Sequence, residues 1–296
     1  MTIKFRKYQH QVDYQKISVF LIENYHPANA DGNWLEPAWE YMHGHPYIQT
    51  QHLEKIGIWE EADQIVAVAH YEWELGEAFF QFRPGYKSLK PEMLDYAETH
   101  LTRGDGRLHA FINDTDPAFT TLVRDRGYVH EPREDRPLTR FAIPEPFPEI
   151  TLPQGFRLLS LADEPDWAKL HRVMYRGFNH GDVDKVTPED MEMRRSMFDT
   201  ITSRRDLKIV VAEPNGEFAS ICGMFYQPDG HYGYVEPVAT DPDYRRMGLG
   251  KAAVLEGIRR CAELGAVEAF VGSDQPFYLA LGFEAQHVSQ CWEKFI

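Results

Sequence analysis

Hydrophobic and polar positions in the second half of the chain follow a pattern that predicts short strands alternating with helices. Apolar runs rich in strand-forming residues occupy positions 156–161, 207–213, 218–227, 232–239 and 267–271. Residues 250–264 carry apolar side chains near helical spacing, and another helix is predicted at 163–178 with Asp163 as its N-cap. Thr187 followed by Pro188 predicts the start of a further helix. The predicted order is β-α-α-β-β-β-α-β-α-β-β.

A proline-rich joint precedes this half of the chain. The prolines at 144, 146, 148 and 153 can continue neither a helix nor a central strand. A chain of 296 residues is long enough for two domains, and a hydrophobic content of 43% is ample for two cores. We therefore predict one domain at 1–143, a linker at 144–153 and a second domain at 154–296.

The composition predicts a cytoplasmic protein that binds neither nucleic acid nor a membrane. The net charge is −15 at pH 7 and both halves share the acidic excess, whereas nucleic-acid binding requires a concentrated basic face. No apolar run has membrane-spanning length, and the start of the chain lacks the apolar core of a signal peptide. Cys222, Cys261 and Cys291 lie apart in apolar runs and are predicted as buried thiols. We expect no metal site, since His43 and His45 have no cysteine nearby.

A turn rich in glycine and basic residues follows the strand predicted at 232–239. Arg245, Gly248 and Gly250 have the spacing R-x-x-G-x-G and precede the helix predicted at 250–264. A helix N-terminus offers unpaired N–H groups and a positive dipole end, and the glycines let a diphosphate approach the backbone. The pattern therefore predicts a phosphate site, although glycines at this spacing also occur in plain structural turns.

In the second half a strand is followed by D-P-x-Y-R-R-x-G-x-G, a helix, a second strand and F-Y-x-x-L-G-F. This order of elements and motifs resembles that of the GNAT superfamily of acyl-CoA N-acyltransferases. The motifs lie at 241–250 and 277–283, and the resemblance covers about residues 155–296. It implies an α/β fold (an α+β mixed sheet) with two tandem GNAT-like domains, each a central mixed β-sheet flanked by helices. It also implies acetyl-CoA as the acyl donor and direct attack by a primary amine in a ternary complex. A non-catalytic acyl-CoA-binding or regulatory protein is the alternative.

The resemblance also assigns roles to individual residues of the second domain. The turn that holds the pyrophosphate of coenzyme A, mostly through backbone groups, would comprise Arg245, Arg246, Met247, Gly248, Leu249, Gly250 and Lys251. The preceding strand would pair with the pantetheine arm through Val238, Ala239 and Thr240, and the Val238 N–H would polarise the thioester carbonyl. Tyr278 matches the tyrosine that hydrogen-bonds or protonates the departing thiolate; the other interpretation is a core aromatic beside Phe277 and Phe283.

A base is needed because an alkylamine acceptor arrives protonated. Glu236 is the first choice, since it lies two residues before Val238 and strict alternation would place both side chains on one face of the strand. Glu236 could instead be a solvated charge at a strand edge, and His231 and Asp274 are weaker alternatives as the base.

The first half repeats the plan without the features that hold coenzyme A. Residues 57–60, 64–73 and 78–82 parallel the three central strands, and residues 83–87 echo residues 241–245. Ser88 to Pro91 stands where the glycine turn would follow, and Val123 takes the place of Tyr278. We therefore predict a degenerate GNAT-like copy that no longer binds coenzyme A.

The acceptor is open at this stage: a small amine, an amino acid, an aminoglycoside-like compound and a peptide N-terminus all fit, and the oligomeric state is equally open.

In the first half, residues 24–47 combine Trp34, Trp39 and Met42 with turn-forming residues. These side chains are predicted to pack an amphipathic helix onto the sheet or onto the other domain, and the alternative is a wall of the acceptor pocket.

Overall fold

The chain, in a computed structural model that describes residues 2–29 and 32–296, divides into two units. The first unit comprises Met1–His43, Tyr47–Thr139 and Ala285–Ile296, and the second comprises Gly44–Pro46 and Arg140–Glu284. These limits differ from the boundaries predicted at 143, 144–153 and 154. The proline-rich joint packs on the second core through Phe147, Ile150 and Leu152, whereas the last strand of the chain belongs to the first unit.

The first unit is a mixed sheet with helices. Its elements are β1 (Lys4–Lys7), α1 (His10–Glu23), α2 (Glu36–Gly44), β2 (Gly57–Glu61), β3 (Gln64–His70), β4 (Glu77–Phe82), α3 (Lys90–His100), β5 (Arg107–Asn113), α4 (Pro117–Asp125), β6 (Val129–His130) and β7 (Arg136–Ala142), whose last residues enter the second unit. The strand order is β1-β2-β3-β4-β5, with only the β4–β5 pair parallel among these. Its core includes Trp39, Met42 and Trp59, all almost fully buried. The predicted packing of Trp39 and Met42 is therefore confirmed, while residues 30 and 31 of that segment lie outside the described residues.

The second unit repeats this order of elements. It contains β8 (Arg157–Ser160), α5 (Trp167–Gly177), α6 (Pro188–Phe198), β9 (Lys208–Ala212), β10 (Phe218–Gln227), β11 (Tyr232–Thr240), α7 (Leu249–Glu263), β12 (Glu268–Val271) and α8 (Pro276–Leu281). The strand order is β12-β11-β10-β9-β8, and the β11–β12 pair is parallel. A core of apolar side chains lies between the sheet and α7.

Two helix starts test the capping predictions. Thr187 caps α6 as predicted, in a capping box in which its hydroxyl accepts from the Asp190 N–H and the Asp190 carboxylate accepts from the Thr187 N–H. The prediction that Asp163 caps the preceding helix is wrong. Asp166 caps α5 instead, and Asp163 accepts hydrogen bonds from the backbone and hydroxyl of Ser160.

A single long strand, β13 (Glu284–Phe295), replaces the last two strands of the predicted order. It pairs antiparallel with β5, from Ser289 opposite Asn113 to Phe295 opposite Arg107, and β6 pairs with it on the way. The end of the chain thus completes the sheet of the first unit. None of the helices in the described residues is long and apolar enough to cross a bilayer.

Candidate active site

Strand β11 separates from its parallel neighbour β12 partway along its length. The pairing runs from Tyr232 opposite Glu268 to Tyr234 opposite Phe270, and β11 then continues to Thr240. The later part of β11 therefore presents one edge to a cleft rather than to β12. An unpaired strand edge of this kind can bind an extended ligand through backbone hydrogen bonds.

The backbone of Val238 points toward this cleft. The Asp241 N–H donates to the Ala219 carbonyl at 3.0 Å, and Ala239 lies opposite Ile221 on β10. Backbone groups of an antiparallel strand alternate between its two sides, so those of Val238 and Thr240 face away from β10. The structure therefore places the predicted Val238 N–H at the open edge.

A β-bulge in β11 sets the position of Glu236. Val238 lies opposite Cys222 and Val235 opposite Met224, so Glu236 and Pro237 together face Gly223. A Cβ on Gly223 would lie 2.3 Å from the Glu236 carbonyl oxygen, so this close approach requires glycine. The strict alternation used to place Glu236 beside Val238 is wrong at this point, because the bulge inserts an extra residue into the strand.

Glu236 nonetheless lies in the electrostatic neighbourhood of Tyr278. Its partly buried surroundings raise the pKa of the Glu236 carboxyl to about 7. Burial raises the pKa of the Tyr278 phenol, and the nearby Glu236 carboxylate raises it further. At neutral pH the phenol therefore keeps its proton, while a large fraction of the carboxyl is ionised.

Tyr278 combines a buried ring with an accessible hydroxyl. The side chain is 8% exposed, and its ring packs edge-on against Phe277 and Phe283 with centroids 4.9 and 5.7 Å away. The hydroxyl has no hydrogen-bond partner among the described residues, and protein atoms do not fully enclose it. The ring is therefore a core aromatic, and its hydroxyl is available to donate to a ligand; the role toward a thiolate stays a prediction.

Helix α7 begins with an open N-terminus. Its N-cap is Gly248, which has a φ of +83° and no heavy atom within 4 Å of where a Cβ would be. The first helical hydrogen bond runs from the Ala252 N–H to the Gly248 carbonyl. The N–H groups of Leu249, Gly250 and Lys251 therefore have no acceptor within the helix, which suits an anionic ligand.

The basic residues of the turn divide into two kinds. The Arg245 guanidinium donates to the carbonyls of Gly177 and Thr240 and to Asn179 Oδ1, at 2.8, 3.3 and 2.8 Å, so it ties the turn to the end of α5. By contrast, the exposed cations of Arg246 and Lys251 have no partner within the described part of the chain. The charge available to a ligand at this helix end therefore belongs to Arg246 and Lys251.

The remaining predicted residues support the turn or lie away from it. Leu249 is buried in the core, Met247 is 40% exposed beside Gly248, and a Cβ on Gly250 would lie 3.0 Å from Thr240 Oγ1. Asp274 is exposed in the loop before α8. His231 immediately precedes β11, at the opposite end of that strand from the N-terminus of α7, which argues against it as the base.

Sequence reasoning missed the ionic group that holds the turn in place. Arg176 on α5 donates to the carboxylates of Asp241 and Asp243, each at 2.6 Å. Asp241 also accepts from the Asp243 N–H, which fixes the start of the turn. A Cβ on Gly177 would lie 2.8 Å from the Ala239 Cβ, so α5 ends against the backbone of β11. The only signal in the sequence was the Asp-Pro pair at 241–242.

The chain is similar to known acetyltransferases in sequence. Residues 167–283 match the model of the acetyltransferase (GNAT) family. The chain is 30% identical over 177 residues to mycothiol acetyltransferase of Kytococcus sedentarius, an alignment covering 55% of this chain and 57% of that protein. The chain spans 57–62% of the length of the curated relatives it matches.

Two solved structures resemble the whole chain. A GCN5-related N-acetyltransferase from Sphaerobacter thermophilus superposes with a TM-score of 0.65 at 15% identity, covering 99% of this chain and 95% of the other. A tandem GNAT protein from the clavulanic acid biosynthesis pathway gives a TM-score of 0.63 at 12% identity, with 99% and 98% covered. At these identities the likeness establishes the fold and nothing beyond it.

Proposed function

Since this chain belongs to the GNAT superfamily and consists of two tandem GNAT-like domains, we propose that its second domain is an acetyl-CoA-dependent N-acetyltransferase acting on a primary amine. One observation carries the proposal: the turn at 241–248 joins the unpaired edge of β11 to the open N-terminus of α7, and Glu236 on β11 lies within electrostatic range of the Tyr278 phenol. We propose a cytoplasmic location as well, on the strength of the composition.

The donor site follows from the shape of this cleft. The N–H groups at the start of α7 that lack an acceptor within the helix, and the exposed cations of Arg246 and Lys251, suit a pyrophosphate. The edge of β11 at Val238 and Thr240 offers backbone donors and acceptors to the amides of a pantetheine arm. Gly248 leaves open space where a side chain would otherwise meet the diphosphate. The residues present therefore fit acetyl-CoA as the acyl-donor substrate.

The chemistry assigns one proton transfer to each of two side chains. The Glu236 carboxylate accepts a proton from the incoming ammonium, directly or through a water, and so frees the nitrogen lone pair to attack the thioester carbonyl carbon. The Val238 N–H donates to the carbonyl oxygen as negative charge develops there. As the tetrahedral intermediate collapses and the carbon–sulfur bond breaks, the Tyr278 hydroxyl donates its proton to the sulfur. The nitrogen releases its second proton to the resulting phenolate, directly or through a water, and the Glu236 carboxyl returns its proton to solvent. The products are an amide and a free thiol.

A thiol-release assay tests the function. Acetyl-CoA is incubated with the protein and with panels of small amines, amino acids, aminoglycosides and peptides, and free thiol is measured over time. We expect release that depends on both the amine and the protein, and that falls in the Tyr278→Phe variant. Tight binding of acetyl-CoA without release for any amine would contradict the enzymatic proposal and favour a non-catalytic acyl-CoA-binding protein.

A further inference from the structure

The first domain has a cleft equivalent to the donor cleft of the second. Strands β4 and β5 pair in parallel from Glu77 opposite His109 to Phe79 opposite Phe111, and β4 then continues to Phe82. The β11–β12 pair separates in the same way. A shared hydrogen bond fixes the correspondence, because the Arg83 N–H donates to the Val66 carbonyl as the Asp241 N–H donates to that of Ala219. Phe82 is therefore the counterpart of Thr240.

The side chain of Asn33 occupies the open edge of β4. Its Oδ1 accepts from the Phe82 N–H at 2.9 Å, and its Nδ2 donates to the Phe82 carbonyl at 2.8 Å. One amide thus satisfies both backbone groups of a single strand residue, as the amide of an extended ligand would. Asn33 is only 4% exposed, so these bonds are shielded from water.

Trp34 fixes this segment through a buried chain of hydrogen bonds. Its backbone N–H donates to Gln81 Oε1 at 2.7 Å, and the Gln81 side-chain amide donates to His70 Nε2 at 3.0 Å. His70 Nδ1 lies 2.9 Å from the Tyr71 carbonyl oxygen. Because a carbonyl can only accept, Nδ1 carries the proton and Nε2 is free to accept from Gln81. The indole ring also contacts the rings of His70 and Phe79, with centroids 4.5 and 4.9 Å away.

Little space remains in this cleft for a ligand. The cavity lined by Trp34, Phe79 and Phe111 leaves about 30 Å³ for the centres of water-sized molecules, which is room for only a few waters. Gly32 packs so closely that a Cβ there would lie 1.9 Å from Asn113 Nδ2. A pantetheine arm could enter only by displacing residues 32–34.

The phosphate end of the first-domain cleft is closed as well. Helix α3 begins at Lys90 after a turn of 3₁₀ helix, and its N-cap Leu89 has ordinary right-handed angles. The Lys90 ammonium is almost fully buried and forms an ion pair with Asp116. This helix start therefore differs from the glycine-lined start of α7.

We propose that Asn33 and Trp34 act as an internal ligand of the first domain, filling the cleft that in the second domain receives the donor. The first domain is then a closed, self-occupied copy, and the full chain binds one donor molecule. This inference rests on the proposed function in taking the second-domain cleft as the donor site. The occupation of β4 itself rests only on the contacts of Asn33 and Trp34.

Backbone amide exchange in the full-length protein tests the internal ligand. Asn33→Ala removes both bonds to Phe82, so we expect the Phe82 amide to exchange at least about tenfold faster. Asn24→Ala is the matched control, because Asn24 is also 4% exposed but its amide donates only to the Phe20 carbonyl within α1. Unchanged exchange at Phe82 in Asn33→Ala would overturn the proposal, as would an equal acceleration at Phe82 in the control.

Calorimetric titration of the unmodified chain with acetyl-CoA gives a second, independent measurement. We expect one equivalent per chain, bound with affinity unaffected by Asn33→Ala. A stoichiometry of two would overturn the internal-ligand proposal while leaving the proposed function intact. Binding of one equivalent that is lost in Asn33→Ala but kept in Asn24→Ala would also overturn it, since the donor would then depend on the first-domain cleft.

Discussion

At the scale of single residues, the proposed catalysis depends on two side chains whose surroundings give them opposite tasks. The Tyr278 ring is held in the core by Phe277 and Phe283, which fixes where the hydroxyl points. Burial keeps that hydroxyl protonated, whereas the Glu236 carboxyl, with a pKa of about 7, can gain and lose a proton near neutral pH. One group is thus set to donate and the other to accept.

Removing only the hydroxyl of Tyr278 tests the donating role. Tyr278→Phe preserves the ring packing, so acetyl-CoA should bind nearly as well as in the parent protein. Turnover should fall by roughly 10² to 10⁴, because the lost proton transfer contributes only in the transition state. Titration and thiol release measure the two quantities separately. Equal losses of binding and rate would show that the phenol holds the donor instead.

The titration of Glu236 gives a pH dependence with a defined direction. Because the base must be ionised, kcat/KM should rise as pH increases through about 7 and then level off. Glu236→Gln should abolish that rise and lower the plateau by about 10²-fold. Asp274→Asn serves as the control, since Asp274 is exposed and is the alternative carboxylate base. A pH profile that changes in Asp274→Asn instead would move the base to that residue.

At the scale of elements, irregularities in the strands create the clefts. The bulge at Glu236 and the early separation of β11 from β12 both depart from regular pairing. Gly223 permits the first of these, and Gly177 lets α5 approach the end of the same strand. Regular alternation predicts the strand but not its bulge, because the bulge depends on contacts with residues on other elements.

The buried histidine at the end of β3, His70, predicts how acid affects the first domain. Burial lowers the pKa of His70 to about 4, whereas an unfolded histidine titrates near 6.5. As pH falls from about 6.5 to about 4, the unfolded state therefore binds a proton that the folded state rejects, and stability decreases through this window. Above pH 6.5 this contribution to stability is complete.

Amide exchange of β3 and β4 at pH 7 and pH 5 measures this effect. We expect faster exchange at pH 5 after correction for intrinsic rates, and a smaller difference between the two pH values in His70→Gln. His26→Gln is the control, since His26 is exposed. An unchanged pH difference in His70→Gln would show that another group causes the acid sensitivity.

At the scale of the whole molecule, the units do not follow the order of the chain. Strand β13 follows the second domain in sequence but pairs with β5, and Cys291 on β13 clusters with Phe79 and Phe111. A substitution near the end of the chain should therefore weaken the first unit.

Paired cysteine substitutions test this assignment. Cys291→Ser places a hydroxyl in the first core and should accelerate exchange of β5, with a loss of roughly 1 to 3 kcal/mol in local stability. Cys261→Ser makes the same change in the second core, where the thiol is equally buried. It should affect α7 and spare β5. Acceleration of α7 by Cys291→Ser would contradict the division.

Much of this architecture can be predicted from the sequence, because local patterns specify it. The apolar runs predict most strands, Thr187 and Pro188 predict the start of α6, and the turn at 245–250 predicts an open helix end. The partner of β13 and the role of Asn33 could not be predicted, since both depend on pairing between residues distant in sequence. An asparagine among turn-forming residues reads as a loop residue until its contacts with Phe82 are known.

A pair of glycine substitutions tests whether the N-terminus of α7 binds the pyrophosphate of the donor. Gly248 and Gly85 both have positive φ, at +83° and +93°, and both have open space where a Cβ would lie. Gly248→Asp and Gly85→Asp therefore impose similar backbone strain, but only the first places a carboxylate at the proposed cradle. Calorimetric titration with acetyl-CoA should show at least about tenfold weaker binding for Gly248→Asp, equivalent to about 1.4 kcal/mol. Binding by Gly85→Asp should equal that of the parent protein. Equal affinities for all three proteins would contradict the claim.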